Sequence, residues 1–151
     1  MTRDEAQTLI GDFFRRHQLP RVQLNDHNLG GADWPDGCLF FEWDTTTGQL
    51  HWWARIHHLR ATLDHHPLLD ALEQAVAAGE DTGGGILTWH APSRGFFLRL
   101  TLEHFPGEHS QALDAHAQAV DRLAAAGLRW LEGRYRDIIL AWHARQAPRS
   151  L

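Results

Sequence analysis

The stretch Gly37 to Leu59, GCLFFEWDTTTGQLHWWARIHHL, constrains the fold more than any other part of the chain. Two apolar runs alternate around a turn at Thr45 to Gly48, and in an extended strand successive side chains point to opposite faces. In the first run Leu39, Phe41 and Trp43 share one face, with Cys38, Phe40 and Glu42 on the other. In the second, Leu50, Trp52, Ala54 and Ile56 face one way, and His51, Trp53, Arg55 and His57 the other. The first set in each run reads as core. The opposite face is mixed, and its large aromatics, Phe40 and Trp53, point to a protein that holds something rather than cuts it.

A chain of 151 residues buries roughly two-thirds of the surface its unfolded form exposes, so it needs no disulfide or structural metal. Its single cysteine, Cys38, cannot form an internal bridge and fits a reducing cytoplasm. The N-terminus places acids at once and no apolar block, so no signal peptide is expected. No run approaches the roughly 18 apolar residues of a membrane span, which predicts no membrane insertion. A net charge of −5 argues against nucleic acid as a partner, because such binding uses a concentrated basic face. All 14 basic residues are arginine, scattered among acids, a pattern we attribute to codon composition.

Thr2 and Glu5 have capping-box spacing, so a first helix is expected from about residue 3. Ala6, Leu9, Ile10, Phe13, Phe14 and His17 form its apolar stripe, and Pro20 stops it. Arg21 to Asp26 alternates Val22 and Leu24 with polar residues and reads as a short strand. Asn28 to Asp36, containing Gly30, Gly31, Trp34 and Pro35, reads as a loop before the hairpin. A short second helix starts at Asp64-His65-His66-Pro67 and buries Leu68, Leu69, Leu72, Ala75 and Val76, with Gly79 as its C-terminal cap. Ile86 to Ala91 and Phe96 to Phe105 read as strands around a Pro92 to Gly95 turn. In the longer one Phe96, Leu98, Leu100 and Leu102 face the core, and Phe97, Arg99, Thr101 and Glu103 face away.

A last helix, capped by Ser110, runs to about His143 on a stripe of Leu113, Ala117, Val120, Ala124, Leu128, Leu131, Tyr135, Ile138 and Trp142. Gly127 and Gly133 in it allow close packing or a bend. The order helix, three strands, helix, two strands, helix predicts an α+β domain. Its twisted, largely antiparallel five-stranded sheet carries helices on one face. The turns are too short for parallel crossovers.

No catalytic motif stands out. The 12 histidines include His57-His58 and His65-His66, yet no metal-binding spacing is present and neighbouring strand residues point apart. They read as solvated or hydrogen-bonded side chains, with no metal and no cofactor expected. Cys38 sits in a strand with nothing to lower its pKa, and Ser93 and Ser110 lack a nucleophile elbow. Gly83-Gly84-Gly85 leads into a strand and reads as slack loop rather than an anion cradle. An enzyme or small-ligand alternative would need His57, His58, Glu42 and Glu103 in one polar pocket. Phe40, Trp53 and Phe97, all out of register with the core, are the stronger signal. If adjacent they form an interaction patch, unless a partner subunit or the last helix covers them.

The acidic chain with this element order resembles the class I chaperones of bacterial type III secretion, the Tir-chaperone (CesT-like) family. The resemblance is carried by the Asp36-Gly37-Cys38-Leu39-Phe40-Phe41 strand entry, the Leu50 to Leu59 strand and the Leu68-Leu69-Asp70-Ala71-Leu72 helix. The Gly85 to Thr101 strand pair and the final helix ending near Trp142 complete it. Seven tryptophans and a long final helix depart from the family pattern. The resemblance implies a single domain over residues 1–151 and a non-enzymatic, cytoplasmic bacterial homodimer. Such a protein binds the N-terminal segment of a secreted effector in extended form, by apolar grooves and strand addition. By position, effector binding falls to Phe13, Phe14, Phe40, Trp53 and Phe97. The dimer interface falls to Leu68, Leu69, Leu72, Val76, Ile86 and Trp89.

Overall fold

The computed structural model describes residues 1–32 and 39–146, so Trp34 and Cys38 lie outside the described residues. Helix α1 (Arg3–Arg16) starts on the expected capping box: Glu5 N donates to Thr2 Oγ1 at 3.1 Å, and Thr2 N to Glu5 Oε1 at 2.8 Å. It buries Ala6, Leu9, Ile10, Phe13 and Phe14.

The first strand is not at Arg21–Asp26. Leu24 is buried as its alternation suggested, but its N–H donates to Gln7 Oε1 and the Val22 carbonyl accepts from Gln7 Nε2. Gln7 thus takes two backbone groups that a sheet ladder would otherwise have paired. Strand β1 is instead Leu29–Ala32, inside the expected loop. Its glycines allow this: a Cβ on Gly30 would lie 2.4 Å from the Phe41 ring, and one on Gly31 2.7 Å from Phe40.

Strands β2 (Leu39–Asp44), β3 (Gln49–His58), β4 (Ile86–His90) and β5 (Gly95–Leu102) complete a five-stranded antiparallel sheet in the order β1-β2-β3-β5-β4. Helix α2 (His66–Ala77) joins β3 to the far edge strand β4, and the short turn after β4 returns β5 to the place beside β3. The expected core faces hold. Leu39, Phe41, Leu50, Trp52, Ala54, Ile56, Phe96 and Leu98 are buried in one apolar cluster with α1 and the last helices. One position departs: the pairing of β3 with β5 slips between Arg55 and His57, a bulge that lets Ile56 stay in the core. His57 thereby leaves the outer face and stacks on Tyr135, with ring centroids 3.9 Å apart.

The expected long helix is three pieces: α3 (Ser110–Arg129), a π-helical turn at Trp130–Arg134, and α4 (Tyr135–Gln146). His109, not Ser110, is the N-cap, its Nδ1 accepting from Ala112 N. The buried stripe of α3 runs through His116, Val120, Leu123 and Gly127 to Trp130. The stripe therefore drifts one residue earlier than expected at its end. Leu131 is consequently exposed, while Trp130 is buried and donates from Nε1 to the Asp81 carbonyl. Gly127 permits close packing, since a Cβ there would lie 2.7 Å from that of Ala54 on β3. Overpacking at this contact predicts that Gly127→Val lowers the free energy of unfolding by about 2 kcal/mol in urea titration.

At the centre Trp52 packs against Phe13, Phe14 and Phe41, with ring centroids 5.2 to 5.8 Å apart. Its Nε1 donates to Nε2 of His116 at 3.1 Å, so the neutral imidazole keeps its proton on Nδ1. Burial holds the His116 pKa down at about 4. The unfolded chain takes up this proton near pH 6.5, the folded one only near pH 4. The stabilisation is therefore complete above pH 6.5 and lost progressively down to pH 4, by about 3 kcal/mol in all. Denaturant unfolding measured across that window is expected to show this slope, and His116→Gln to flatten it.

Candidate functional site

The described helices all lie on one side of the sheet, and the register writes the other side out as rows running across the strands. The central row is Gly31, Phe40, Trp53, Arg99 and Ile86, one residue from each of the five strands. On one side of it lies the row Leu29, Glu42, His51 and Thr101. On the other lies Arg55, Phe97 and Thr88. The three out-of-register aromatics are brought together. Phe97 meets Trp53 edge-on at 5.5 Å and Phe40 at 6.3 Å between ring centroids. His90, at the end of β4, adds a ring 5.6 Å from Trp53 and 5.8 Å from Phe97.

These side chains line an open groove of about 480 Å³, with Gly30 and Gly31 as part of its floor and Arg55 and Glu42 at its sides. The trio is graded in depth: Phe97 is 7% exposed, whereas Phe40 and Trp53 are half-buried. The two arginines lie on the rings, Arg55 5.8 Å from the centroid of Phe40 and Arg99 5.5 Å from that of Trp53. Both positions were legible as outer-face positions of β3 and β5; their place over aromatic faces depends on cross-strand pairing and was not. His51 bonds Thr101 Oγ1 through Nδ1 at 2.8 Å, and burial lowers its pKa. It is neutral at pH 7, a polar but uncharged neighbour of Trp53.

Phe13 and Phe14 do not belong to this surface. Both are fully buried on α1, between Trp52 and Phe41, so a groove that accepts a ligand from solvent cannot use them. Of the residues assigned to a dimer interface, Leu72 is likewise fully buried within the single chain, as core. Leu68, Leu69, Val76 and Trp89 are half-buried, and Ile86, on edge strand β4, is 64% exposed. These form a second partly apolar region, at the α2 and β4 edge.

The pocket required by a histidine and carboxylate enzyme is not assembled. Glu42 lines the outer groove, while His57 lines a separate hollow beside Tyr135 on the helix side. At the start of α2 the Asp64, His65 and His66 donor atoms lie within 4.8 Å of one another. They already have partners: His66 Nδ1 is 2.7 Å from Asp64 Oδ1, and His65 stacks on Trp89 at 4.2 Å.

The molecule is thus an α+β domain whose described helices lie on one side of the sheet and whose other side carries an aromatic cluster. No protein-family model matches the sequence, and no curated protein matches it. Its fold is similar to that of a chain in a solved structure titled "Structure of the HopA1-SchA Chaperone-Effector Complex". The TM-score is 0.53 and the identity 18%, over 85% of this chain and 91% of the other. Among the described residues, no helix is long and apolar enough to cross a membrane.

The neighbouring tryptophans of β3 separate core from site. Trp52→Ala is expected to cost about 3–5 kcal/mol of stability, as other buried Trp truncations do. Trp53→Ala, on the open face, should cost about 1 kcal/mol, with denaturant unfolding as the readout.

Proposed function

We propose that this protein is a non-enzymatic chaperone of a type III secretion effector, holding the effector's N-terminal segment in extended form across the outer face of its sheet. The observation that carries the reading is the cluster of Phe40, Trp53 and Phe97 on a face that none of the described helices covers. An exposed apolar patch of this kind marks an interaction site, and a protein that shields apolar parts of an unfolded client needs one. The similarity of fold to a chain of a chaperone–effector complex supports it. Strand β4 is an edge strand that offers backbone groups for strand addition, whereas on edge strand β1 the Leu29 N–H and carbonyl are already bonded to Asn25.

In this reading the chain works as a homodimer in the bacterial cytoplasm. The α2 and β4 edge is the dimer surface, through Leu68, Leu69, Val76, Ile86 and Trp89, with Leu72 supporting it from the core. The outer groove is then left to the client. A cofactor has no role.

The test combines assembly state with capture. Sedimentation equilibrium should give a dimer that Leu69→Glu/Ile86→Glu dissociates. Co-expression with candidate secreted effectors of the same genome should give a soluble complex with one of them that Trp53→Ser/Phe97→Ser abolishes while the dimer persists. A strict monomer, or a complex indifferent to the outer-face variants, would contradict the proposal.

A further inference from the structure

The groove on the outer face runs across the strands, not along them. Its lining takes Leu29 and Gly31 from β1, Phe40 from β2, Trp53 from β3 and Phe97 from β5, then His90 and Ser93 from the end of β4 and the turn beyond it. Gly31, Phe40 and Trp53 share one row; Phe97 lies one row further along and His90, opposite Gly95, one row further again. The groove therefore climbs diagonally from one edge of the sheet to the other. Along each strand, by contrast, the apolar surface stops after one side chain. On β3 Trp53 lies between His51 and Arg55, on β2 Phe40 is followed by Glu42, and on β5 Phe97 is followed by Arg99.

The two ends of the groove differ in chemistry. Near β1 the lining includes the Glu42 carboxylate. At the far end the Ser93 N–H donates to Nδ1 of His90 at 3.3 Å, so the neutral ring keeps its proton on Nε2. Among the described residues no acceptor meets that Nε2–H. Arg55 already rests on the Phe40 ring and serves as a wall.

Strands stand about 4.8 Å apart, so the five span about 19 Å, the reach of about six residues of extended chain. Same-facing side chains of such a segment repeat at about 6.8 Å, which sets three of them over the groove. The first lies over Leu29 and Phe40, the second over Trp53 and Phe97, and the third at His90. We infer that the client segment crosses the strands and carries two apolar side chains two residues apart, then, at the same spacing, a side-chain oxygen that accepts from His90; this rests on the client-binding reading above. Glu42 disfavours a carboxylate at the apolar end, so an acid in the segment lies at the His90 end. A segment aligned with β3 would set its side chains against His51 and Arg55 and bury one apolar group, whereas crossing buries two.

The experiment is selection of a displayed library of random peptides, roughly ten residues long, on the intact wild-type protein and on His90→Ala, verified as folded by circular dichroism. The expected result is enrichment of two large apolar residues separated by one position, with Asp, Glu, Asn or Gln two positions beyond. On His90→Ala the acceptor should disappear while the apolar pair remains, and a selected peptide should bind about fivefold more weakly by tryptophan fluorescence. With a nitroxide on one end of that peptide, the amide resonances of Leu29 to Ala32 should broaden; with it on the other end, those of His90 and Ser93. Broadening of Gln49 from one end and His58 from the other, a motif with a single apolar residue, or an acceptor that persists on His90→Ala overturns this inference and leaves the groove reading standing. Failure to enrich any apolar residue, or binding unaffected by Trp53→Ser, overturns the groove reading itself.

Discussion

The antiparallel register of β3 between β2 and β5 is the constraint on which everything else depends. Strand side chains alternate with a period of two, so a slip of one residue would exchange Trp52 for Trp53 across the sheet. Trp52 would then leave Phe13, Phe14 and Phe41, and Trp53 would enter a space already shaped for its neighbour. The same register that buries the first set of aromatics presents the second. Core and site are two faces of one pairing, and a slip of register would disrupt both at once.

Packing on the helix side makes that register specific. The Trp52 indole has one donor, and His116 on α3 supplies its acceptor, a buried polar contact that an alternative pairing would leave unmade. Gly127 lets α3 close on Ala54, and the π-turn after it redirects the chain so that Tyr135 receives His57 from the bulge. Each irregularity, the bulge in β3 and the π-turn in the last helix, meets the other at that stacked pair. The outer face, with no helix over it, has no comparable demands and can be shaped by what it binds.

Much of this was legible in local pattern. Alternation in β2, β3 and β5, the Thr2 and Glu5 capping box and the stripe of α1 each depend on residues within a few positions of one another. What escaped depends on distant partners. Strand β1 centres on two glycines whose meaning comes from the rings of Phe40 and Phe41, and Val22 and Leu24 were claimed by Gln7 rather than by a strand. The bulge at Ile56 reversed His57, and no local signal marks it. For the site, alternation placed Phe40, Trp53 and Phe97 on one face, while family likeness added the first helix through Phe13 and Phe14, two residues of its buried stripe.

The central claim is that the helix-free face receives the client. It is tested most directly by fluorine NMR of 5-fluorotryptophan-labelled protein, with Trp52 and Trp53 assigned by single substitution. On adding the client segment, the account predicts a shifted, solvent-protected Trp53 resonance and an unmoved Trp52. A client that binds while Trp53 stays unchanged and open to solvent would contradict it.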